Sequence, residues 1–534
     1  MLTADSCLLS YEICVICGFT STIDNLQKAV TRHVTSDRRQ ISDQRSAFKI
    51  GTKLFSFPAL LAALLVGAVF VVDRAFRVDP DVWWHLKVGE TILRTHRVPT
   101  SDPYSFTVPG SPWMAYEWLG EVLLAAVSRV GGLRGLLALE IALAAAIVLS
   151  LYALATLRCG NCKAGFVACV LMLMLAPLSF TLRPQMLGYL FLVLTLITLG
   201  RFQQGKPGAL WLLPPLFLVW VNTHGSFIIG LGVIGVYWAS GLVELRAGGL
   251  GARRWTTADR LRLELVALLC LIALAITPYG ARLAIYPFDM TFGQPLNVAN
   301  IQEWQSMPFD VWFGKVFLVL LLGFLAAQIA LRPAWRVEEL ALFLVGTFMA
   351  CLHRRFVLVF VPFFAPPLAA LLAPWLRPSR PAKDKYALNA ILMAVVVAGA
   401  IGFFPTRTKL QSLVAERYPV RAVQYLLDRA VPSPMYNQYG FGGYLIWSLG
   451  PERKVFVDGR ADIYEYGGVL ADYIHISKVE PEALPLLRGY GVRSCLLARD
   501  EPLATLLLAS GGWQRVYADK VAMVFVRLDQ PQRH

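Results

Sequence analysis

The chain has 534 residues, 56% of them from the AVILMFWYC set and only 16% charged, and its mean hydropathy is +0.55. Soluble globular chains carry about 25% charged residues, so an ordinary soluble enzyme is excluded, as is disorder as a global description. The formal net charge of +15 would suggest nucleic acid in a soluble protein, but in a membrane protein Lys and Arg collect in cytoplasmic loops.

Residues 1–50 are polar and weakly patterned. The short apolar stretch Tyr11–Phe19 contains Glu12 and follows no basic region, so it makes a poor signal peptide. The segment reads as a disordered cytoplasmic tail. Apolar runs long enough to span a bilayer then recur at 54–72, 134–156, 164–181, 184–200, 208–222, 225–244, 261–277, 312–331, 337–352, 356–375 and 387–404. The run at 208–222 carries Pro214–Pro215, which predicts a kinked or re-entrant segment. After Phe404 the character changes. An amphipathic stretch, Val420–Leu427, precedes short apolar runs at Tyr444–Leu449, Lys454–Val457, Val492–Leu497 and Val521–Val526, separated by glycine-rich turns. The expected architecture is a polytopic α-helical membrane protein of about eleven transmembrane helices at 51–404. A small α/β extracytoplasmic domain follows at 405–534.

Charge checks the count independently. With the N-terminus inside, the cytoplasmic segments are the tail, Arg158–Lys163, Arg201–Lys206, Leu245–Arg260, Arg332–Glu339 and Leu376–Tyr386. Each is rich in Lys or Arg, as orientation statistics require. An odd number of spans then places 405–534 outside.

The first outer loop, 73–133, holds the most chemistry. In Val78-Asp79-Pro80-Asp81-Val82-Trp83-Trp84-His85-Leu86, Asp81 is suited to cap a helix starting at Val82. Trp83, Trp84 and Leu86 suit a helix lying on the membrane. Farther on, Glu117 and Glu121 are spaced i, i+4, on one helix face. Asp79, Asp81 and Glu117 could divide the work, one activating an acceptor as general base and another steering a metal or a donor phosphate. Solvation and helix capping are the plain alternative for each.

A second group is basic. Arg183, His224, Arg282, His353, Arg354 and Arg355 fall at outer ends of spans, where positive charge is disfavoured, so they suggest a partner such as a lipid phosphate. Headgroup snorkelling is the plain alternative. Glu303 is a further carboxylate of the outer loops. Asp458, Arg460 and Asp462 follow the strand-like run Lys454–Val457 and fit either a strand-end site or a salt-bridged turn. The nine Cys are odd in number and scattered, including a lone CxxC at Cys159 and Cys162, which implies no disulfide framework. No GxGxxG follows a strand, and no Walker A, HExxH or GxSxG motif occurs, which argues against an ATP-driven pump and a serine hydrolase.

The layout resembles the GT-C superfamily of integral-membrane glycosyltransferases. Asp79 and Asp81 after the first span, then Glu117 in the same loop, carry the resemblance. The runs Trp220-Val221-Asn222-Thr223-His224-Gly225, Gly442–Trp447 and Val457–Arg460 look like those of uncharacterised bacterial membrane proteins grouped with it. The chain lacks the Asp-Glu pair of protein mannosyltransferases and the WWDYG motif of oligosaccharyltransferases. The resemblance implies a bacterial inner-membrane enzyme that moves a sugar from a polyprenyl-phosphate donor to an extracytoplasmic lipid, glycan or protein, with inversion. The donor phosphate would rest against the Arg/His group, Asp81 or Asp79 would act as base, and Arg354 or Arg355 would stabilise the leaving phosphate. A divalent cation stays open. Partners would be membrane lipid and lipid-linked sugar rather than nucleic acid. A flippase or other handler of lipid-linked glycans, and a non-catalytic envelope-assembly protein, are the alternatives.

Overall fold

The computed structural model describes residues 54–74, 78–175 and 180–528. The expected tail at 1–50 lies outside the described residues. The chain divides into two compact units. In the first, which joins residues up to Leu60 with Arg380–Val395, the Phe57 amide donates to Asp384 Oδ2 at 3.0 Å and Asn389 Nδ2 donates to the Phe55 carbonyl at 2.8 Å.

Among the described residues, each of the eleven apolar runs overlaps a helix. These include α1 (Phe57–Asp73), α3 (Trp118–Cys159), α4 (Cys162–Leu173), α5 (Gln185–Gln203), α6 (Leu213–Val221) and α7 (Phe227–Ser240). They continue with α8 (Thr257–Ala273), α11 (Trp312–Leu331), α12 (Val337–Leu352), α13 (Val357–Leu372) and α14 (Tyr386–Gly402). Among the described residues, four helices reach 18 residues with enough hydropathy to cross a bilayer by themselves: α3, α5, α11 and the α13 segment Arg354–Trp375. The prolines at 214 and 215 sit where a 3-10 turn, Pro207–Leu212, gives way to α6. An α-helix needs an amide donor at every interior residue, so this run breaks there as the prolines dictate. α3 is bent at Gly132, whose φ of 54° and ψ of −144° strain any side-chain-bearing residue. The bend separates an amphipathic first part from the apolar span.

The basic segments meet at one end of the bundle. Arg158 forks onto Glu339, its Nη2 3.1 Å from Oε2, and also reaches the Ala334 carbonyl. Arg336 Nη1 donates to Gln203 Oε1 at 2.7 Å, and Asn161 Nδ2 donates to the Leu376 carbonyl at 2.6 Å. β1 (Leu245–Ala247) and β2 (Leu250–Ala252) form a hairpin, and β3 (Trp335–Arg336) pairs parallel to β2. Five of the segments assigned to one side by charge alone are therefore neighbours.

The opposite end carries the small domain. Its sheet has the order β4-β5-β7-β6, with β4 (Met435–Asn437), β5 (Ser494–Ala498), β6 (Trp513–Ala518) and β7 (Ala522–Arg527). β4 and β5 are parallel; the other pairs are antiparallel. Helices pack around it, among them α15 (Arg407–Arg417), α16 (Val420–Asp428), α17 (Tyr439–Leu449) and α18 (Ala461–Tyr466). Lys454–Val457 does not become a strand of this sheet. Val455 instead exchanges backbone hydrogen bonds with the first outer loop, donating to the Tyr104 carbonyl and accepting from Phe106, at 3.0 and 3.1 Å. Its donors and acceptors are satisfied by a distant segment that sequence pattern cannot pair with it.

Candidate active site

α2 (Val82–Thr95) forms one wall of the site. Its entry corrects the expected cap. Asp81 stands at the N-cap position with helical dihedrals and makes no side-chain cap bond. Asp79 does the local work, its Oδ1 accepting from the Asp81 amide at 2.9 Å. That turn leaves the Asp81 carboxylate out of the cap and turned to Arg183. The helix does not lie on lipid as its tryptophans suggested. Trp83 is 1% exposed and packs on Tyr418, Tyr444 and Trp447 with ring centroids 5.4, 5.1 and 4.9 Å away. Trp84 and Leu86 are buried as well. Interfacial and core tryptophans look alike in sequence because both need an apolar surface with one polar edge. Here the small domain supplies that surface.

Arg183, on the link into α5, gathers three carboxylates. Its Nη2 lies 2.7 Å from Asp79 Oδ1 and 3.1 Å from Asp81 Oδ2, and its Nη1 lies 2.9 Å from Glu303 Oε1. The Arg183 guanidinium holds the Glu303 carboxyl below the usual range. Asp81 behaves oppositely. Burial outweighs the pull of Arg183, Asp79 and Glu303 add repulsion, and its pKa is pushed up to about 7. Asp81 also has the longer of the two Nη2 contacts, and at 19% side-chain exposure it is more open than Asp79 at 8%.

Glu117 precedes α3 and faces two histidines. His85 Nε2 is 3.4 Å from Glu117 Oε2, His224 Nε2 is 3.4 Å from Glu117 Oε1, and His85 Nδ1 is 3.1 Å from Glu121 Oε1. Burial holds both imidazoles neutral, His224 down to about 3, with Arg355 the next cause there. A neutral imidazole has one N–H and one lone pair. His85 can therefore bond both carboxyls only if one of them carries a proton. Burial raises both, Glu117 to about 8 and Glu121 well above its ordinary value, so either carboxyl can carry that proton. Asn222 brings these parts together: its Oδ1 accepts from Trp118 Nε1 at 2.8 Å, and its carbonyl accepts from the Leu119 amide at 3.1 Å. His85 was not foreseen. It lies one helical turn beyond Asp81, so i, i+4 spacing was the available signal.

The other basic residues separate. His353 Nδ1 contacts the Trp304 carbonyl, so it braces the turn that bears Glu303. Arg355 stacks over the Trp304 ring at 4.2 Å and is near enough to bias both Glu117 and His224. Among the described residues, neither Arg354 nor Arg355 forms an ion pair. Arg282 is exposed at the start of α9 (Arg282–Phe292) and joins neither group.

The small domain closes the site from above. A Cβ on Gly459 would stand 1.9 Å from Asp81 Oδ1, and one on Gly443 would stand 2.5 Å from the Pro80 carbonyl. At Gly443 the facing atom is backbone, so glycine is required, whereas at Gly459 it is the Asp81 carboxylate, which a methyl group would displace. Asp458 and Arg460 form a buried clamp rather than a reactive pair. Arg460 binds Asp458 through Nε and Nη2 at 2.8 and 2.7 Å and Asp102 through Nη1 at 2.6 Å, and its guanidinium lies over Trp113 at 4.7 Å. Asp462 accepts from Tyr286 Oη at 2.9 Å, tying α9 to the same domain.

The carboxylates do not form a metal set as arranged. Arg183 supplies the positive charge between Asp79, Asp81 and Glu303. Among the described residues, the group whose ligand atoms converge closely enough for an ion is His475, Glu480 and Glu482, on the surface and outside this site.

No family model matches the sequence, and no curated protein matches it either. Solved structures do. An oligosaccharyltransferase from Archaeoglobus fulgidus, tethered to an acceptor peptide containing an NVT sequon, aligns over 90% of this chain and 76% of its own, at 13% identity and a TM-score of 0.51. ArnT from Cupriavidus metallidurans in the apo state aligns over 89% of this chain and 99% of its own, at 15% identity and a TM-score of 0.49. At such identities the likeness concerns the fold. With an apolar helical bundle, a small sheet domain at one end and the archaeal enzyme superimposing on nearly all of it, the chain has the GT-C fold.

Proposed function

We propose that the protein is a membrane glycosyltransferase that moves a sugar from a polyprenyl-phosphate donor to an extracytoplasmic acceptor with inversion. One observation carries the reading. On a GT-C fold, a partly open carboxylate with a pKa near neutrality, Asp81, shares one site with cations that form no ion pair among the described residues. An acid–base group works best when its pKa lies near the working pH, and unpaired guanidinium groups suit phosphate.

In this reading the acceptor hydroxyl or amine gives its proton to Asp81. The freed electron pair attacks the anomeric carbon from the face opposite the phosphate. The bond from that carbon to the phosphate oxygen breaks, and the lipid phosphate leaves with the electrons. Arg355, aided by Arg354, stabilises that charge, worth about 3–4 kcal/mol for a well-placed donor. Arg183 and Asp79 fix the position of Asp81. Glu117 and the two histidines line the floor of the site. No step runs through a metal. We place the chain in the bacterial inner membrane with about eleven crossings, the N-terminus inside and residues 405–534 outside.

The test is transfer from a polyprenyl-phosphate sugar by the purified full chain in lipid. Asp81→Asn should cut the rate about 10²–10⁴-fold, the usual worth of a general base, with the fold intact. Arg354→Ala combined with Arg355→Ala should weaken binding of polyprenyl phosphate. A rate unchanged by Asp81→Asn would remove the mechanism.

A further inference from the structure

A groove of about 1280 Å³ lies at the same end of the bundle as Asp81 but behind α2. Trp83 and Leu86 line the groove, whereas Asp81 and His85 lie on the other side of that helix. It opens where α3 bends. A Cβ on Gly131 or Gly132 would meet nothing within 4 Å. α15, α16 and the β6–β7 turn make the facing wall. Small-molecule sites run to about 1,000 Å³, so the space is enough for several sugar rings.

Its lining is cationic. Arg129, Arg134, Arg407, Arg421 and Lys520 border it, against two carboxylates, Glu416 and Asp519. Asp519 is committed to its own turn, accepting from the Val521 and Ala522 amides at 2.7 and 2.8 Å and from Tyr517 Oη at 2.7 Å. Among the described residues, none of the five cations forms an ion pair. Like charges around one hollow repel, and an entering anion relieves that repulsion. Trp447, partly exposed and packed on the buried Trp83 and Tyr444, adds aromatic surface to the floor.

We propose that this groove is a second, non-catalytic binding site for an anionic saccharide bearing phosphate or carboxylate groups. Guanidinium forks take the anionic groups, and the partly exposed Trp447 indole takes the apolar face of a sugar. The site is independent of the transfer chemistry assigned to Asp81, from which α2 separates it.

The full chain in zwitterionic phosphatidylcholine nanodiscs would be titrated with tetragalacturonate and with neutral galactotetraose, reading tryptophan fluorescence. Tetragalacturonate should bind saturably and weaken steeply with salt. The neutral oligomer should bind about tenfold or more weakly, since one charge-assisted bond is worth that factor. Arg129→Ala, Arg407→Ala and Arg421→Ala together should weaken the anionic oligomer by about the same factor or more. All three residues are exposed, so the fold should hold. Asp81→Asn should leave this binding unchanged even if it abolishes transfer, so failure here and failure of the transferase reading are separable. Equal binding of both oligomers, or no effect of the triple substitution, would overturn the proposal. So would retention of phosphatidylglycerol from mixed nanodiscs, lost in the triple variant, with no binding of tetragalacturonate in either lipid.

Discussion

Asp81 and Asp79 are two positions apart in sequence and differ in what surrounds them. Asp79 is spent on the Asp81 amide and on Arg183. Asp81 is raised to about 7 by burial and by two carboxylate neighbours, Asp79 and Glu303. Below that pH it is protonated and cannot accept a proton. Transfer should therefore fall about tenfold per pH unit below neutrality and level off above it, as a single essential base requires. Glu303→Gln removes one of the negative neighbours and leaves Arg183 more available to Asp81. The acid limb should shift to lower pH, in a rate profile measured at saturating donor. A limb that moves up, or stays, would show that another group sets it. Sequence made the acidic residues legible because a carboxylate after a first span is conspicuous. It could not show the partition of labour between them, which depends on Arg183 arriving from a different helix. For the same reason His353 was legible as a basic residue at a span end but not as a brace for the Trp304 carbonyl.

At the scale of elements, the first outer loop and the small domain are one structure. Their cores are continuous, and Val455 pairs with the loop backbone. Gly459 is the point of closest approach. Gly459→Ala would drive a methyl group into the Asp81 carboxylate. A displacement of about 1 Å in a reacting group costs about 10²-fold. The transfer rate should fall by about that factor with little change in melting temperature; an unaffected rate would mean that Asp81 has room to move without consequence. The Arg460 clamp predicts the reverse pattern. Arg460→Ala strands the buried carboxylates Asp102 and Asp458, an effect of about 3–5 kcal/mol. The melting temperature should drop, and Asp102→Asn combined with Arg460→Ala should recover part of it. Additive losses in that double variant would argue against a coupled pair. Glycine-rich turns and apolar runs showed the existence of this domain. They could not show that its closing contacts lie some 350 residues upstream, as in the Asp102–Arg460 bond, which spans 358 positions.

At the scale of the molecule, the charge pattern and the packing agree. Arg158, Gln203, Leu245–Ala252, Trp335–Glu339 and Leu376 are neighbours at one end. Asp81, Glu117, Arg183, His224 and Glu303 are neighbours at the other. Alternation of sides between successive spans is the simplest pattern that would yield both groupings, and we propose it although several helices are shorter than a full crossing. Kinked or short spans are tolerated where neighbouring helices satisfy the backbone. The Lys and Arg bias predicts the sidedness. Single cysteines at Arg246 and at Arg515, both exposed, would test it in a chain whose native cysteines are replaced by serine. In intact cells a membrane-impermeant maleimide should label the cysteine at 515 and spare the one at 246. In inverted vesicles the result should reverse. Labelling of both from one side would break the alternation. Labelling of 246 alone in intact cells would keep the alternation but invert the orientation, putting the Asp81 site on the cytoplasmic side, where an extracytoplasmic acceptor could not reach it.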